Sequence, residues 1–492
     1  MSLTKMYMVT EKCRTQSPAF PEPCTKEASF FIEFPHPPLK KGDTMFKMKV
    51  NMLEGSIFKA LIAFMIPFMI SNLFQQMYNT VDTIIVGKVL GESSLAAIGS
   101  SSVLYELLIG FALGIGNGMS IVTARSYGAG DFERMKKSVA GSLVIGAIVT
   151  IVLVAAAQCF CYPVLKLMNT PADILEKAYS YINTITLFVG VMLAYNLCSG
   201  ILKAVGNSIM PLIFLIISSI LNVVLDILFI AEFGMGVRGA AVATVIAQMV
   251  SVVLCVIYIF WKYPELLPEK KHFKPEGSMY GDLAGQGISM GLMSCLVSAG
   301  TVIMQSSINN LGYLTIAGHT AAKKIRSMTL NPIIAVATSM TTFVSQNRGA
   351  DQGLRIRKAV RYGNLIGLGW AVFISVVLLF TAPAIIGFVS GSANEEVLKN
   401  GALYLQIESP FFAVLSVLFN TRYALQGIGS KVLPLVSSII ELLGKVVFAF
   451  LFIPIMGYMG VILCEPVIWC FMVLELVIAF YMHPYIKAHK YT

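Results

Sequence analysis

Long apolar segments recur along the chain from residue 57 to residue 482, and polar residues fall between them. A helix needs about twenty apolar residues to cross a bilayer, so each segment predicts one membrane-spanning helix. The predicted spans 1 to 12 cover residues 57–86, 95–124, 138–162, 174–202, 208–230, 239–261, 283–309, 314–343, 360–386, 397–425, 432–453 and 459–482. The pattern therefore predicts an all-α integral membrane protein.

The twelve predicted spans fall into two sets of six. Connections between spans are short, except for a charged, Pro-containing stretch after span 6. The predicted regions are an N-terminal arm at 1–55, an N-lobe at 56–262 (spans 1–6), a linker at 263–282, a C-lobe at 283–482 (spans 7–12) and a tail at 483–492. The arm is polar and rich in Pro and Lys, which predicts disorder. Met45, Met48 and Met52 precede span 1 and leave open whether residues 1–47 are translated.

Composition supports the membrane interpretation. Of 492 residues, 56% are hydrophobic and 13% are charged, and the mean hydropathy is +0.76. Soluble domains carry about 25% charged residues, so a soluble enzyme, a disulfide scaffold and a DNA-binding domain are excluded. No HExxH, GxSxG or Walker-type Gly-rich loop precedes a suitable helix, so neither an enzyme nor an ATP-driven pump is expected. An ion gradient is then the expected energy source.

The net charge of +10 arises mainly at the ends of loops. If the chain enters the membrane from the cytoplasm, eighteen Lys and Arg after span 1 fall on the inner side, Lys203 and Arg422 among them, and five on the outer side. Basic residues favour cytoplasmic loops, so this bias predicts a multi-pass protein of the plasma (inner) membrane with both termini in the cytoplasm. Anionic lipid near those loops accounts for the charge without a nucleic-acid partner.

The two halves repeat each other in the same direction. A shift of 221 in residue number aligns LGESSLAA at Leu90 with LGYLTIAG at Leu311, and a shift of 223 aligns Gly206 with Gly429. Because each repeat has an even number of spans, the sequence predicts two parallel six-helix bundles related by a pseudo-two-fold axis along the membrane normal. Secondary transporters use this arrangement to open a central site to alternate sides. A duplicated bundle with no transport role is the alternative.

Carboxylates inside the predicted spans are the most informative polar residues. A charged Asp at helix-centre depth costs about 2.5–3.5 kcal/mol on insertion scales, so such a residue usually faces the bundle interior. Asp82 and Asp226 each lie about four residues before the outer end of an outward-running span, hence at a shared depth of roughly 6 Å. Asn222 lies one turn from Asp226 on the same face, and Thr244 and Tyr181 reach a similar level from spans 6 and 4.

These oxygen-bearing groups are typical of a proton or small-cation site. Two neighbouring carboxylates cannot both be charged at low cost, so the pair is expected to hold H+ or Na+. The donors available to Na+ are the hard oxygen ligands of Asp82, Asn222, Asp226 and Thr244. The alternative is that these residues only hydrogen-bond neighbouring helices.

Several runs have a distinctive spacing as well as composition. They are IPFMISNLFQQMYNTVDTIIVGKVLGESSLAAIG, YGAGD, LKAVGNSIMP followed by SSILNVVLDILFI, and GMGVRGAAVATVIAQ. These runs resemble the multidrug and toxic compound extrusion (MATE) family of the MOP flippase superfamily, and the resemblance covers residues 52–482. It implies export of small, amphipathic, often cationic organic compounds in exchange for H+ or Na+, by a protein without a cofactor. We further expect the protein to be a monomer in the bilayer.

The resemblance also implies roles for particular residues. It assigns ion coupling to a set of five positions and cavity lining to Gln75 and Asn196. The coupling positions are Asp82, Asn222, Asp226, Thr244 and Tyr181. Pro67 lies in the middle of span 1, where it predicts a kink, and the resemblance suggests that protonation of Asp82 changes the bend.

The second half has charged residues of open role. The cores of spans 7 and 10 lack the carboxylates that bind Na+ in another branch of the family, so coupling is expected in the first half. Glu441 and Lys445 lie one turn apart on span 11, where they either neutralise each other or present Glu441 to a cavity for cationic cargo. Lys323, Lys324 and Arg326 in span 8 either snorkel outward or favour the alternative function, a flippase for lipid-linked precursors.

Overall fold

The computed structural model describes residues 50–168 and 170–489. Eleven helices in these ranges are long and apolar enough to cross a membrane, and two shorter helices with a 45° bend between them form one further span. In chain order, spans 1 to 12 are Ile57–Leu90, Glu92–Gly128, Phe132–Leu167, the bent pair Ala172–Leu187 and Val189–Ala204, Ile209–Glu232, Gly236–Lys262, Gly277–Asn309, Tyr313–Gly349, Gly353–Ser390, Glu395–Ile428, Leu433–Met456 and Tyr458–Met482. The predicted fold class is confirmed. Residues 1–49 of the predicted arm and 490–492 of the predicted tail lie outside the described residues.

Left-handed turns recur at repeat-related positions. Gly91 (φ 79°) and Gly312 (φ 91°) are related by the shift of 221 and lie between the first and second spans of each lobe. Gly206 (φ 90°) and Gly429 (φ 103°) are related by the shift of 223 and follow the fourth span of each lobe. A side chain with a Cβ is strained in this conformation, so glycine is the residue that fits. The backbone thus carries the repeat that the sequence predicts.

Irregular helical turns recur in the same way. Span 5 contains a π-helical turn at Ile227–Glu232, and span 11 contains one at Phe448–Phe452. Span 4 breaks at Phe188, and span 10 breaks at the 3-10 turn Ser409–Phe411. Such irregular turns are frequent at functional sites. The π turn of span 5 begins directly after Asp226.

The linker packs against the beginning of span 3. Lys136 Nζ lies 3.2 Å from Glu269 Oε1, and Lys137 Nζ lies 2.9 Å from Glu276 Oε2. These hydrogen bonds lower the pKa of Glu269 and of Glu276 because they favour the charged carboxylates. Span 7 begins at Gly277, so its helix includes the last residues of the predicted linker.

The two lobes pack tightly on the linker side, the side of the spans that carries residues 129–131, 205–208, 263–276 and 350–352. A Cβ at Gly128 of span 2 would overlap the backbone of Gln346 in span 8. Conversely, a Cβ at Gly349 would overlap the backbone of Arg125. Gln346 Nε2 also donates to the carbonyl of Ala204 at 2.7 Å. The lobes are therefore in backbone contact on this side.

Candidate ion and cargo sites

The structure brings Asp82 and Asp226 together. Their carboxyl groups are within hydrogen-bonding reach of each other, with Asp226 fully buried and Asp82 half-buried. The Oδ1 atom of each has no hydrogen-bond donor among the described residues. Ionised carboxylates only accept hydrogen bonds, so a direct carboxyl–carboxyl hydrogen bond requires a proton on one of them. The pair can therefore hold one exchangeable proton.

Asn222 joins this pair to span 6. Its hydrogen-bonding surroundings assign the amide so that Nδ2 donates to Asp226 Oδ2 at 2.9 Å and Oδ1 accepts from the backbone N–H of Thr244 at 3.2 Å. The hydroxyl of Tyr78 donates to Thr244 Oγ1 at 3.3 Å. Asn222 and Thr244 are both buried. The four residues Asp82, Asn222, Asp226 and Thr244 thus form one group, as the sequence predicts.

Three tyrosines lie within electrostatic range of Asp82. Tyr181, predicted from the sequence, is buried and also lies within range of Asp226. Tyr78 and Tyr105 were missed by sequence reasoning. The i, i+4 spacing of Tyr78 and Asp82 on span 1 is a signal that could have identified Tyr78. Tyr105 comes from span 2, and nothing in the local pattern marks it.

A cavity of about 500 Å³ lies beside this group; its wall comes mainly from the N-lobe, with Ser298 and Thr338 from the C-lobe, and it is called the N-lobe cavity below. Gln75 and Asn196, both predicted to line a cargo cavity, line it together with Tyr78, Tyr105 and Thr244. Tyr78 and Thr244 therefore belong to the cavity wall and to the hydrogen-bonded group around Asp226 at once. A change at the carboxyl pair can reach the cavity through them.

The C-lobe contains a connected set of ion pairs. Lys445 Nζ lies 2.9 Å from Glu441 Oε1 and 3.8 Å from Glu465 Oε1. Arg326 pairs with Glu465 and, through Nε, lies 2.8 Å from Glu408 Oε1. Glu408 is fully buried at the break of span 10. Sequence reasoning found the Glu441–Lys445 pair but missed Glu408 and Glu465 as the partners of Arg326.

Glu441 lines a second cavity, of about 520 Å³, in the C-lobe. Its wall combines the ion pairs with apolar side chains such as Met293, Phe419 and Trp469. Gln75 and Asn196 line the first cavity, and Ser298 of span 7 lines both cavities, so the two adjoin. A shared cargo site that includes Glu441 stays a prediction.

Three basic residues lie elsewhere than the sequence suggested. Arg326 does not snorkel outward, because Glu408 and Glu465 hold it inside the lobe. Lys203 and Arg422 were counted among inner-side cations, but both lie within helices and line the N-lobe and C-lobe cavities, respectively. Lys324 is exposed, as expected.

Pro67 lies inside span 1, which continues as a single helix past it, and Ser71 Oγ donates to its carbonyl at 2.8 Å. Bending of this helix on protonation stays a prediction.

Within residues 50–168 and 170–489, no group of three or more His, Cys, Asp or Glu side chains is arranged to hold a metal ion. Na+ binding at the oxygens of the coupling group also stays a prediction.

Comparisons with known proteins point in one direction. The family model MatE matches residues 67–228 and 290–451, one match in each lobe. The "Probable multidrug resistance protein YoeA" of Bacillus subtilis is 27% identical over 317 residues, which cover 63% of this chain and 68% of that protein. The "Multidrug export protein MepA" of Staphylococcus saprophyticus is 22% identical over 437 residues, covering 87% and 92%.

The fold also matches solved structures. One is described as "Outward-facing conformation of a multidrug resistance MATE family transporter of the MOP superfamily". It has a TM-score of 0.83 at 24% identity and covers 92% of this chain and 100% of that chain. At this identity the comparison establishes the fold, twelve spans in two bundles.

Proposed function

The chain belongs to the MatE family, the MATE multidrug efflux transporters, and from that premise we propose that it exports small organic compounds in exchange for H+ or Na+ bound at Asp82 and Asp226. The family is one of multi-pass membrane transporters that handle small molecules. We place the linker side and both termini in the cytoplasm, because basic residues concentrate there. The transporter acts as a monomer in this proposal.

One observation carries the coupling assignment. Two carboxyl groups lie within hydrogen-bonding reach of each other inside the N-lobe, and one oxygen of each has no other partner among the described residues. Two bare charges in this position repel each other strongly, whereas one proton or one Na+ relieves the repulsion. The pair therefore changes between a loaded and an unloaded state, which is what a coupling site must do.

The arrangement of Asn222 supports a proton as the coupling ion. Its N–H groups point towards Asp226 and its carbonyl oxygen towards the backbone of Thr244. An N–H group stabilises a carboxylate but repels a cation, so coordination of Na+ by the amide oxygen of Asn222 would require the amide to rotate. Proton binding leaves this hydrogen bond intact.

Coupling to cargo runs through the cavity wall. Thr244 contacts Asn222 on one side and Tyr78 on the other, and both Thr244 and Tyr78 line the N-lobe cavity. Ion binding changes the charge of the carboxyl pair beside these hydrogen bonds. The cavity wall therefore differs between the ion-bound and ion-free states, and cargo binds the two states with different affinity. Export further requires the linker side to open, which separates Gly128 and Gly349 from the backbones that they contact.

The flippase alternative is not favoured by the charges of the C-lobe. The cavity of a flippase for lipid-linked precursors would have to offer unpaired cations to the diphosphate group of its cargo. Arg326 is neutralised by Glu408 and Glu465, and Arg422 Nε donates to Ser437 Oγ at 2.9 Å inside the helix bundle.

The test is efflux from proteoliposomes under separately imposed H+ and Na+ gradients. We expect Asp82→Asn and Asp226→Asn each to abolish gradient-driven ethidium efflux, because an amide cannot exchange a proton at neutral pH. Asp173→Asn is the matched control, since Asp173 is an exposed aspartate at the start of span 4.

The proposal is wrong if Asp82→Asn or Asp226→Asn folds normally and supports gradient-driven efflux at the wild-type rate. The gradient that supports wild-type efflux identifies the coupling ion. If Na+ alone drives transport, the argument from the amide of Asn222 fails and the carboxyl pair is a Na+ site.

A further inference from the structure

Lys203 is a cation in the N-lobe cavity to which the coupling site gives no role. It lies in the last turn of the second helix of span 4, and its half-buried side chain lines the cavity. Its Nζ atom lies 4.3 Å from the centre of the Phe68 ring. A cation–π contact of this kind offsets only part of the cost of removing an ammonium group from water.

No carboxylate of the described residues neutralises Lys203. Cys255 is the titratable group that influences it, and no Asp or Glu does so. Glu106 lines the same cavity but acts electrostatically on Lys323 of the C-lobe instead. The cavity therefore carries a positive charge next to Phe68.

The internal repeat indicates that the fold does not require this charge. The shift of 223 places Gln426 of span 10 at the position of Lys203. Gln426 is buried, lines the C-lobe cavity, and has Nε2 at 3.3 Å from Met293 Sδ. An uncharged amide thus fills the same place in the same helical framework. The cation at Lys203 is a feature of the N-lobe cavity and not of the helix packing.

Polar groups suited to an anion line the same cavity. Ser199 lies one turn before Lys203, is buried, and lines the cavity with an Oγ atom that has no hydrogen bond of good geometry within the described part of the chain. The hydroxyl of Tyr195, a polar neighbour of Ser199, donates to the carbonyl oxygen of Pro211 at 3.3 Å. Asn117 of span 2 also lines the cavity. A hydroxyl, an amide and an ammonium group are the donors that a carboxylate needs.

We propose that Lys203, with Ser199 and Phe68, forms an anion subsite of the N-lobe cavity that binds the carboxylate of an aromatic cargo molecule. One compact ammonium group matches one carboxylate charge, and the ring of Phe68 offers a face for an aromatic cargo to pack against. This inference rests on the proposed export function for the direction of transport. It adds aromatic carboxylates to the cargo of a cavity whose other ionisable groups favour cations.

The anion subsite is separate from the coupling site. Phe68 and Asp82 are 14 residues apart on span 1, so at 1.5 Å per residue their levels differ by about 21 Å. A small drug-like molecule at Lys203 does not reach the carboxyl pair. The two sites can therefore be tested independently.

The test compares two fluorescent probes that differ by the carboxylate alone, pyrenebutyrate and pyrenebutanol, binding to the full-length protein in nanodiscs at pH 7. We expect the wild-type protein to prefer pyrenebutyrate by about tenfold, and Lys203→Gln to lose this preference, because the charge-assisted hydrogen bond is removed. Lys203→Arg, which keeps the charge, should retain most of the preference. Gln is the matched neutral substitution, since the C-lobe carries it at the repeat-related position.

Equal affinity of the wild-type protein for the two probes would overturn the proposal, as would an unchanged preference in Lys203→Gln. If Lys203→Gln loses affinity for both probes equally and also has a lower melting temperature, Lys203 is a structural residue and the proposal is overturned. Failure of the coupling site is measured separately, because Asp82→Asn should abolish ethidium efflux yet leave the probe preference intact. If Asp82→Asn instead transports normally, the coupling proposal fails while the binding experiment still tests Lys203.

Discussion

Arg326 is the residue on which the charges of the C-lobe converge. It pairs with Glu408 and Glu465, and Lys445 links Glu465 onward to Glu441. Glu408 is fully buried, so its charge depends on Arg326 for compensation. A buried ion pair is costly to form but even more costly to break on one side, because the remaining charge loses its partner.

Arg326→Leu should therefore destabilise the protein strongly, by about 3–5 kcal/mol, since it leaves Glu408 without its cation. The double variant with Arg326→Leu and Glu408→Leu should recover part of that loss, because no buried charge is then orphaned at the break of span 10. Thermal unfolding of the detergent-purified protein measures both. Lys324→Leu, at an exposed position of the same span, serves as the control. Equal stability of Arg326→Leu and Lys324→Leu would refute the network.

Spans 2 and 8 meet through two glycines that the repeat places in equivalent positions. Gly128 and Gly349 are related by the shift of 221, and each packs against the backbone of the opposite span. Such an approach is possible only without a side chain, as at the small-residue contacts of membrane helices. The contact holds the linker side closed.

Gly128→Ala and Gly349→Ala should each shift the protein away from the state that is closed on the linker side, because a Cβ would collide with backbone that cannot yield locally. Spin labels on the exposed residues Phe132 and Lys358 should report a longer distance in either variant. Gly110→Ala is the control on span 2, since the nearest atom to its added Cβ lies 3.7 Å away, an ordinary contact. An unchanged distance distribution in both variants would contradict this account of the closed side.

Repeat-related helices carry different chemistry at the same position. Asn222 of span 5 corresponds, by the shift of 223, to Lys445 of span 11, and Ser218 corresponds to Glu441. The N-lobe thus holds two carboxyls with an amide where the C-lobe holds an ion-pair network. One framework supports an exchangeable site in one lobe and a charge-balanced cavity in the other.

At the scale of the whole molecule, the linker belongs to the N-lobe. Leu266 is buried in the apolar cluster with Met135 and Val139 of span 3, and His272 is buried with Nε2 at 3.0 Å from Glu133. The association of the lobes relies on the packing of spans 2, 7 and 8, as at Gly114 and Gly118, whose added Cβ atoms would meet the backbone of span 7. The covalent connection after residue 274 contributes little to this packing.

Separate chains of residues 1–274 and 275–492 should therefore assemble when they are co-expressed. We expect an affinity tag on one half to recover the other from detergent extracts, and the pair to restore part of the ethidium efflux. Each half expressed alone should give no efflux. If the tagged half recovers none of its partner although both are inserted, the lobes depend on their covalent link and the prediction is wrong.

Local information was enough for the spans, the repeat and the shared depth of Asp82 and Asp226. Hydrophobic runs, helix rise and repeated motifs are properties of short stretches, so they can be counted along the chain. The helix breaks at Phe188 and at Ser409–Phe411 were not predicted. Apolar residues continue through the first, whereas the second falls at Ser409-Pro410, where Pro is a local signal for a break.

The sequence by itself determined that this chain crosses the membrane twelve times in two related halves and that oxygen-bearing groups of spans 1, 4, 5 and 6 reach one level. Only the tertiary structure decided which side chains meet. Arg326 and Glu465 are 139 residues apart, and Tyr105 approaches Asp82 from another span. Such contacts depend on how far each helix is rotated about its axis, and that rotation is fixed by packing against distant segments. For the same reason Lys203, counted from its sequence position among the inner loops, lies in a cavity wall.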